Sequence, residues 1–293
     1  MTASAPVTAS NPLYALAPAI MGGSTFAVVD ILLRWGFMAG ADSLTMVTFR
    51  GFIGVPLLYA WMRFAGPLPS IPPRARLVAL AFGVLFAGNV FLLFKAVEAT
   101  TVPIAILTYF VYPLLTGLIG AATGLDKLSW RGVCAAVAAF LGLALMLGAN
   151  PGGIALAGIV AALGAAAFRT VTLLLTRALL GGVDARMITW YSLISSTALF
   201  ALIALVTLNW HAPHEAFGWA VLVGIGVFTT TGLLGVFMST VTIGPFRTAL
   251  LMNLEPLLAT IGSAIFLGEV ITPLQALGGA VMIAALVAFQ LRR

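Results

Sequence analysis

Long apolar runs, each close to twenty residues, fill this chain and are parted by short segments of proline, glycine, asparagine and charged residues. A helix needs about 20 apolar residues to cross a hydrocarbon core of about 30 Å, and the runs lack the strict alternation of a membrane β-strand. The pattern therefore predicts helical spans over residues 13–36, 44–64, 76–97, 101–123, 130–149, 153–178, 186–208, 217–238, 245–267 and 272–290. Breakers stand between them: Gly66, Pro67 and Pro69 with Pro72 and Pro73, then Asn150 to Gly153, and later Asn209 to His214. The expected fold is an all-α polytopic membrane protein, because a backbone in lipid must satisfy its own hydrogen bonds.

Composition removes the soluble alternatives. Hydrophobic residues make up 62% of the 293 and charged residues 8%, against roughly 25% charged in a soluble domain. The formal net charge of +6 is no nucleic-acid signal here, since the basic residues gather at span ends, where they set orientation. Arg63, Arg74, Arg76, Lys127, Arg131, Arg177, Arg186, Arg292 and Arg293 fall on one side; Asp42, Glu98, Glu215, His211 and His214 fall on the other. Positive charge marks the cytoplasmic side, so both termini are expected to be cytoplasmic. Trp35, Trp61, Trp130, Trp210 and Trp219 lie near span ends, as interfacial indoles do. The run from Leu13 is long enough to span and lacks a basic leader, so it reads as the first helix rather than a secretory signal. Cys134 is the single cysteine and reads as a small packing residue.

The chain repeats itself. Pro256 follows Pro113 by 143 residues, and Glu269 follows Asp126 by the same 143, in the stretches TYFVYPLLTGLIGAATGLDKLS and LMNLEPLLATIGSAIFLGEVIT. The expected organisation is a tail over 1–12, a first five-helix repeat over 13–149 and a second over 150–293. Five is odd, so the repeats would cross the membrane in opposite senses, an arrangement that places a site near the midplane of many carriers.

These residues resemble the EamA family of the drug/metabolite transporter superfamily, built from two five-helix repeats. The match is strongest at Leu254, Glu255 and Pro256, through Leu267, Gly268 and Glu269, to Gln275 and Gly278. The first half departs from it, with Asp126 and Lys127 where the family often has Gly-Glu-Arg, and Tyr112 where the second half has Glu255. The overall pattern is most similar to the bacterial YddG-type exporters of amino acids. The resemblance implies a secondary transporter exporting amino acids, aromatic or other neutral ones, or similar small metabolites. A multidrug or nucleoside-type exporter of the same fold is the alternative. A monomer is the expected functional unit in a bacterial inner membrane, and neither cofactor nor metal is expected.

Charge inside a span is costly and usually faces protein or a water-filled cavity. Asp30 and Arg34 are four apart on the first span and read either as a structural clamp or as recognition of a substrate ammonium or carboxylate. Arg50 could share Asp30 or Asp42. Glu255 lies deep in the ninth span, immediately before Pro256, which frees the carbonyl of Met252 and kinks the helix. It is a candidate for proton coupling, against the reading of a Glu paired to its neighbour. Thr108, Tyr109 and Tyr112 precede Pro113 on the corresponding fourth span and read as a substrate wall or as ordinary helix contacts. Asn89 and Asn253 need partners if buried, and Arg169, deep in the sixth span, suits a buried carboxylate or an anionic substrate group. Pro113 and Pro256 are the candidate hinges. Lys95, Glu98 and Arg247 lie near span ends, while Thr229, Thr230 and Thr231 are expected to bond back to their own helix.

Other classes fit less well. His211 and His214 share one connection, so a multi-histidine metal site or a histidine dyad within the bilayer is not available, and Ser24 has no base beside it. No GxxxxGK[ST] segment is present for ATP-driven transport. An enzyme is not expected; the expected partners are a small-molecule substrate and the lipid bilayer.

Overall fold

The computed structural model describes residues 12–148, 155–208 and 210–291. Residues 1–11 of the expected tail, the junction of the expected halves at 149–150, the breaker run Asn150 to Gly153, Asn209, Arg292 and Arg293 lie outside the described residues.

Among the described residues, twelve helices make ten spans. They are α1 (Pro12–Met38), α2 (Ser43–Phe64), α3 (Pro73–Ala99), α4 (Val102–Tyr109), α5 (Tyr112–Ala122), α6 (Trp130–Leu147), α7 (Leu156–Leu180), α8 (Ala185–Thr207), α9 (Ala216–Ile243), α10 (Pro245–Leu251), α11 (Leu254–Leu267) and α12 (Pro273–Leu291). The fourth span is α4 with α5 and the ninth is α10 with α11. Local chemistry sets the starts. Asp42 accepts from the backbone N of Thr45 at 2.8 Å, Ser129 from Gly132 at 3.1 Å and Asp184 from Arg186 at 2.9 Å, each satisfying a donor the first turn leaves free. Pro73, Pro103, Pro245 and Pro273 sit in first turns, where their missing N–H costs nothing.

The expected kinks are complete breaks. Pro113 and Pro256 cannot donate, and the chain before each turns tightly: Val111 N reaches Thr108 O at 3.3 Å, and Glu255 N reaches Met252 O at 3.0 Å. The Met252 carbonyl that proline frees is thus taken one residue earlier, and each span restarts as a new helix.

A displacement of 143 residues relates the helices of the two halves. It carries α2 onto 186–207, α3 onto 216–242, α4 onto 245–252 and α6 onto 273–290, which are the observed α8, α9, α10 and α12 to within one residue. Neighbours follow the same rule. α1 packs on α9 and α7 on α3; α2 packs on α9 and α8 on α3; α1 packs on α11 and α7 on α5. The remaining large interfaces, α2 with α8 and α6 with α12, join corresponding helices to each other.

Small residues let these backbones approach, as in other lipid-embedded bundles. A β-carbon on Gly142 would stand 2.7 Å from the carbonyl oxygen of Gly278, and one on Gly278 would stand 2.5 Å from that of Gly142, so α6 and α12 cross at bare backbone. Large apolar side chains such as Phe91, Leu145 and Phe266 are exposed on the perimeter, where lipid is the solvent. Cys134 lies on this perimeter too, not in the packing role the sequence suggested.

Candidate functional site

Seven spans enclose a cavity of about 200 Å³, lined by the second half of α1, the first half of α2, the second half of α3, and points on α4, α7, α9 and α11. Those segments share one end of the bundle, so the cavity opens toward the α1–α2 connection. Toward the other end, Phe82 of α3 and Phe237 of α9 stack with centroids 6.1 Å apart and planes at 12°, and α5 packs against α10. A void of about 20 Å³ lies there, lined by both rings.

Four charged side chains face the open cavity: Asp30 on α1, Arg50 on α2, Arg169 on α7 and Glu255 on α11. Two are acids and two are bases. Glu255 comes within electrostatic reach of both Asp30 and Arg169, and Arg169 lies with its guanidinium carbon 5.9 Å from the Tyr112 ring. Arg50 is placed differently. Its guanidinium carbon lies 4.5 Å from the centroid of Phe86 and 5.7 Å from that of Phe200, and it forms no ion pair among the described residues. Its Nη2 is buried without a hydrogen-bond partner, as are Nε of Arg169 and Oγ1 of Thr229. Buried donors left unmade cost about 1–3 kcal/mol, more when charged, so these three atoms can each donate to an acceptor that enters the cavity.

Of the residues expected from sequence, the structure brings Asp30, Asn89, Tyr109, Arg169 and Glu255 to the cavity. Asn89 also ties α3 to α7, donating from Nδ2 to the Ala165 carbonyl at 2.7 Å. Thr108, Tyr112 and Asn253 do not line it. Tyr112 is buried behind Tyr109, their ring centroids 5.3 Å apart, and Asn253 donates within its own turn to the Leu250 carbonyl at 2.9 Å. The expected meeting of Asp30 with Arg34 does not occur as an ion pair: Arg34 turns outward to Glu269 at the end of α11. Asp42 does not serve Arg50 either, since it caps α2 and approaches Nδ1 of His211 at 3.4 Å. Thr230 and Thr231 bond back to Gly226 and Val227 at 2.7 and 3.0 Å as expected, but Thr229 does not.

Sequence reasoning therefore missed two features. The isolation of Arg50 was partly legible, because the nearest acids in sequence are Asp42 and Asp30, but no spacing reveals that Asp42 caps α2 or that Asp30 shares the cavity without pairing with it. Phe86, which supports it, carried no signal beyond hydrophobicity.

The EamA-like transporter family matches this chain twice, over residues 10–148 and 156–289. The threonine/homoserine exporter RhtA of Escherichia coli strain K12 is 29% identical over 275 residues, covering 88% of this chain and 89% of its own length. Its counterpart in Escherichia coli O157:H7 matches to the same extent. A solved crystal structure superposes with a TM-score of 0.79 at 20% identity, over 94% of this chain and 99% of that one, a likeness of fold alone.

Proposed function

The chain belongs to the EamA-like transporter family, and from that premise we propose that it exports small zwitterions, amino acids foremost, by presenting its cavity alternately to the two sides of a bacterial inner membrane. The observation that carries this reading is the guanidinium of Arg50, which makes no ion pair among the described residues and keeps a buried Nη2 without a hydrogen-bond partner, in a cavity that also holds Asp30 and Glu255. A carboxylate supplies the acceptors that Arg50 and Arg169 lack, and an ammonium supplies the donors that Asp30 and Glu255 accept, through charge-assisted bonds. A volume of about 200 Å³ is below the roughly 300–1,000 Å³ of drug-sized sites, which favours a small metabolite over a multidrug or nucleoside substrate. The relatives named as exporters of threonine and homoserine point to the same class.

Alternation is supported by the two breaks. Each interrupts a span immediately before a proline, where few helix hydrogen bonds resist bending, so Pro113 and Pro256 mark the proposed hinges. The matching helix bounds and reciprocal neighbours of the halves support two inverted repeats, over 13–149 and 150–293. With the basic connections inside, both termini are cytoplasmic and the cavity faces outward. The enclosure of the cavity within one chain makes the monomer the proposed unit of transport.

Counterflow in proteoliposomes tests the reading. Preloaded threonine or homoserine should drive uptake of the labelled amino acid, while the decarboxylated amine should exchange at least tenfold more slowly. Folded protein that exchanges no amino acid, with or without a pH gradient, overturns it. Proton coupling through Glu255 is checked in Glu255→Gln, where a normal dependence on the gradient removes that role.

A further inference from the structure

Charges on the rim keep the 143-residue register that the cavity charges abandon. The residue 143 positions after Arg34 is Arg177, and the residue 143 positions after Asp126 is Glu269. Each half thus carries an arginine near the end of its first span and a carboxylate just past the end of its fourth. The two sets stand in different bonds. At the open mouth Arg34 pairs with Glu269, tying the end of α1 to the end of α11. At the closed end Asp126 accepts from the backbone N of Phe246, at the start of α10, at 2.9 Å and from that of Lys127 at 2.8 Å. Arg177 meanwhile donates to the carbonyl of Val241. No Asp126–Arg177 ion pair forms among the described residues.

Packing shows the same asymmetry. α5 and α10 close one end, whereas the corresponding α4 and α11 face the cavity at the other, with Tyr109 and Glu255 on its walls. Phe82 and Phe237 stack at the closed end; their counterparts by the 143-residue register, Ile225 and Phe94, both line the open cavity. Inverted repeats that exchange conformations also exchange the bonds those conformations make.

We propose that Arg34–Glu269 and Arg177–Asp126 are alternative latches of the two mouths, each pair formed when its own mouth is open and parted when that mouth is shut. This rests on the alternating-access reading above. In the state opened to the other side, Asp126 leaves Phe246 for Arg177, α5 follows it away from α10, and Glu269 releases Arg34 as α11 closes on α4. The exchange is not fully symmetric. The counterpart of Phe246 is Pro103, which has no N–H to offer, so Glu269 gains no equivalent backbone bond on leaving Arg34. The mouth seen open here is therefore the preferred one at rest.

The test uses the full chain in proteoliposomes, with Cys134→Ser and a reporter, Leu93→Cys, in the open cavity, labelled by a membrane-impermeant thiol reagent from the open side. Both pairs are on the surface, where such interactions are weak, so the expected changes are about two- to fivefold. Arg34→Gln and Glu269→Gln should each slow labelling, and the double variant should be no slower than either. Arg177→Gln should speed it, while Arg34→Lys and Arg177→Lys should stay near the parent. If the two Gln variants at Arg34 and Arg177 move labelling in the same direction, or not at all, in folded protein whose labelling still responds to added threonine, the latches are wrong and alternation stands. If threonine changes labelling in no protein, the alternating-access reading fails with them.

Discussion

The two halves of this molecule agree in scaffold and disagree at the site. Helix bounds correspond across 143 residues to within one position for most elements, and the rim charges Arg34 and Arg177, like Asp126 and Glu269, keep that register. Cavity charges do not. The counterpart of Asp30 is Leu173, of Arg50 Leu193, of Arg169 Phe26 and of Glu255 Tyr112. Each half still contributes one acid and one base. The contrast fits the proposed function: a scaffold exchanging between two states needs matched halves, whereas a site for one zwitterion, with unlike ends, needs unmatched walls.

The sharpest way to break the comparison is to move a site charge onto the other half. Leu173 is fully buried in the apolar core, so Leu173→Asp buries a carboxylate with no partner and is expected to cost about 3 kcal/mol or more. Thermal unfolding in detergent should show that loss, or no folded protein at all. The reverse exchange should spare the fold. Asp30→Leu is expected to leave unfolding near the parent while lowering the exchange rate about ten- to hundredfold, the scale of one charged hydrogen bond.

Scaffold positions sharpen the comparison from the other side. Gly83 and Gly226 correspond across the 143 residues. A β-carbon on Gly83 meets the Ser192 carbonyl oxygen and comes 2.8 Å from the Ser196 backbone N, whereas one on Gly226 meets the Ile53 side chain at 2.7 Å. Both Ala variants should destabilise, by about 1–3 kcal/mol, with Gly83→Ala the worse because backbone cannot yield. Ile53→Ala should relieve Gly226→Ala; equal losses and no relief would contradict the contact picture.

Much of this was legible because lipid makes sequence literal. Spans follow from apolar length, and Asp30, Arg169 and Glu255 were found because charge in hydrocarbon demands a reason. Face assignments failed where the helix did. Thr108 and Tyr112 are four apart, yet a break at Phe110 and Val111 resets the helical phase between them, so i,i+4 spacing no longer means one face. Arg34 and Glu269, 235 residues apart, were beyond any local pattern. The difference between Thr229 and its neighbours depends on which hydroxyl faces the cavity, which composition does not encode.

The smallest expected effect concerns a cap that only the second half has at its position. Asp184 caps α8 and bonds Arg186, with Nη2 to Oδ2 at 2.6 Å; its counterpart is Ala41, and the first half places its cap one residue later, at Asp42. Asp184→Ala should cost about 1 kcal/mol. The Arg186 side chain holds the Asp184 carboxyl below its usual range, so its stabilisation is present above the unfolded-state carboxylate value of about 3.9. It is lost as pH falls through the lower folded value. Unfolding curves of parent and variant should therefore converge in strong acid.

In the proposed site Arg50 receives the substrate carboxylate. Calorimetric titration of the purified protein with threonine and with threonine amide tests it most directly. The acid should bind about tenfold more tightly or better, and Arg50→Gln, still folded, should erase the difference. Equal binding of acid and amide, or a preference that survives Arg50→Gln, would contradict it.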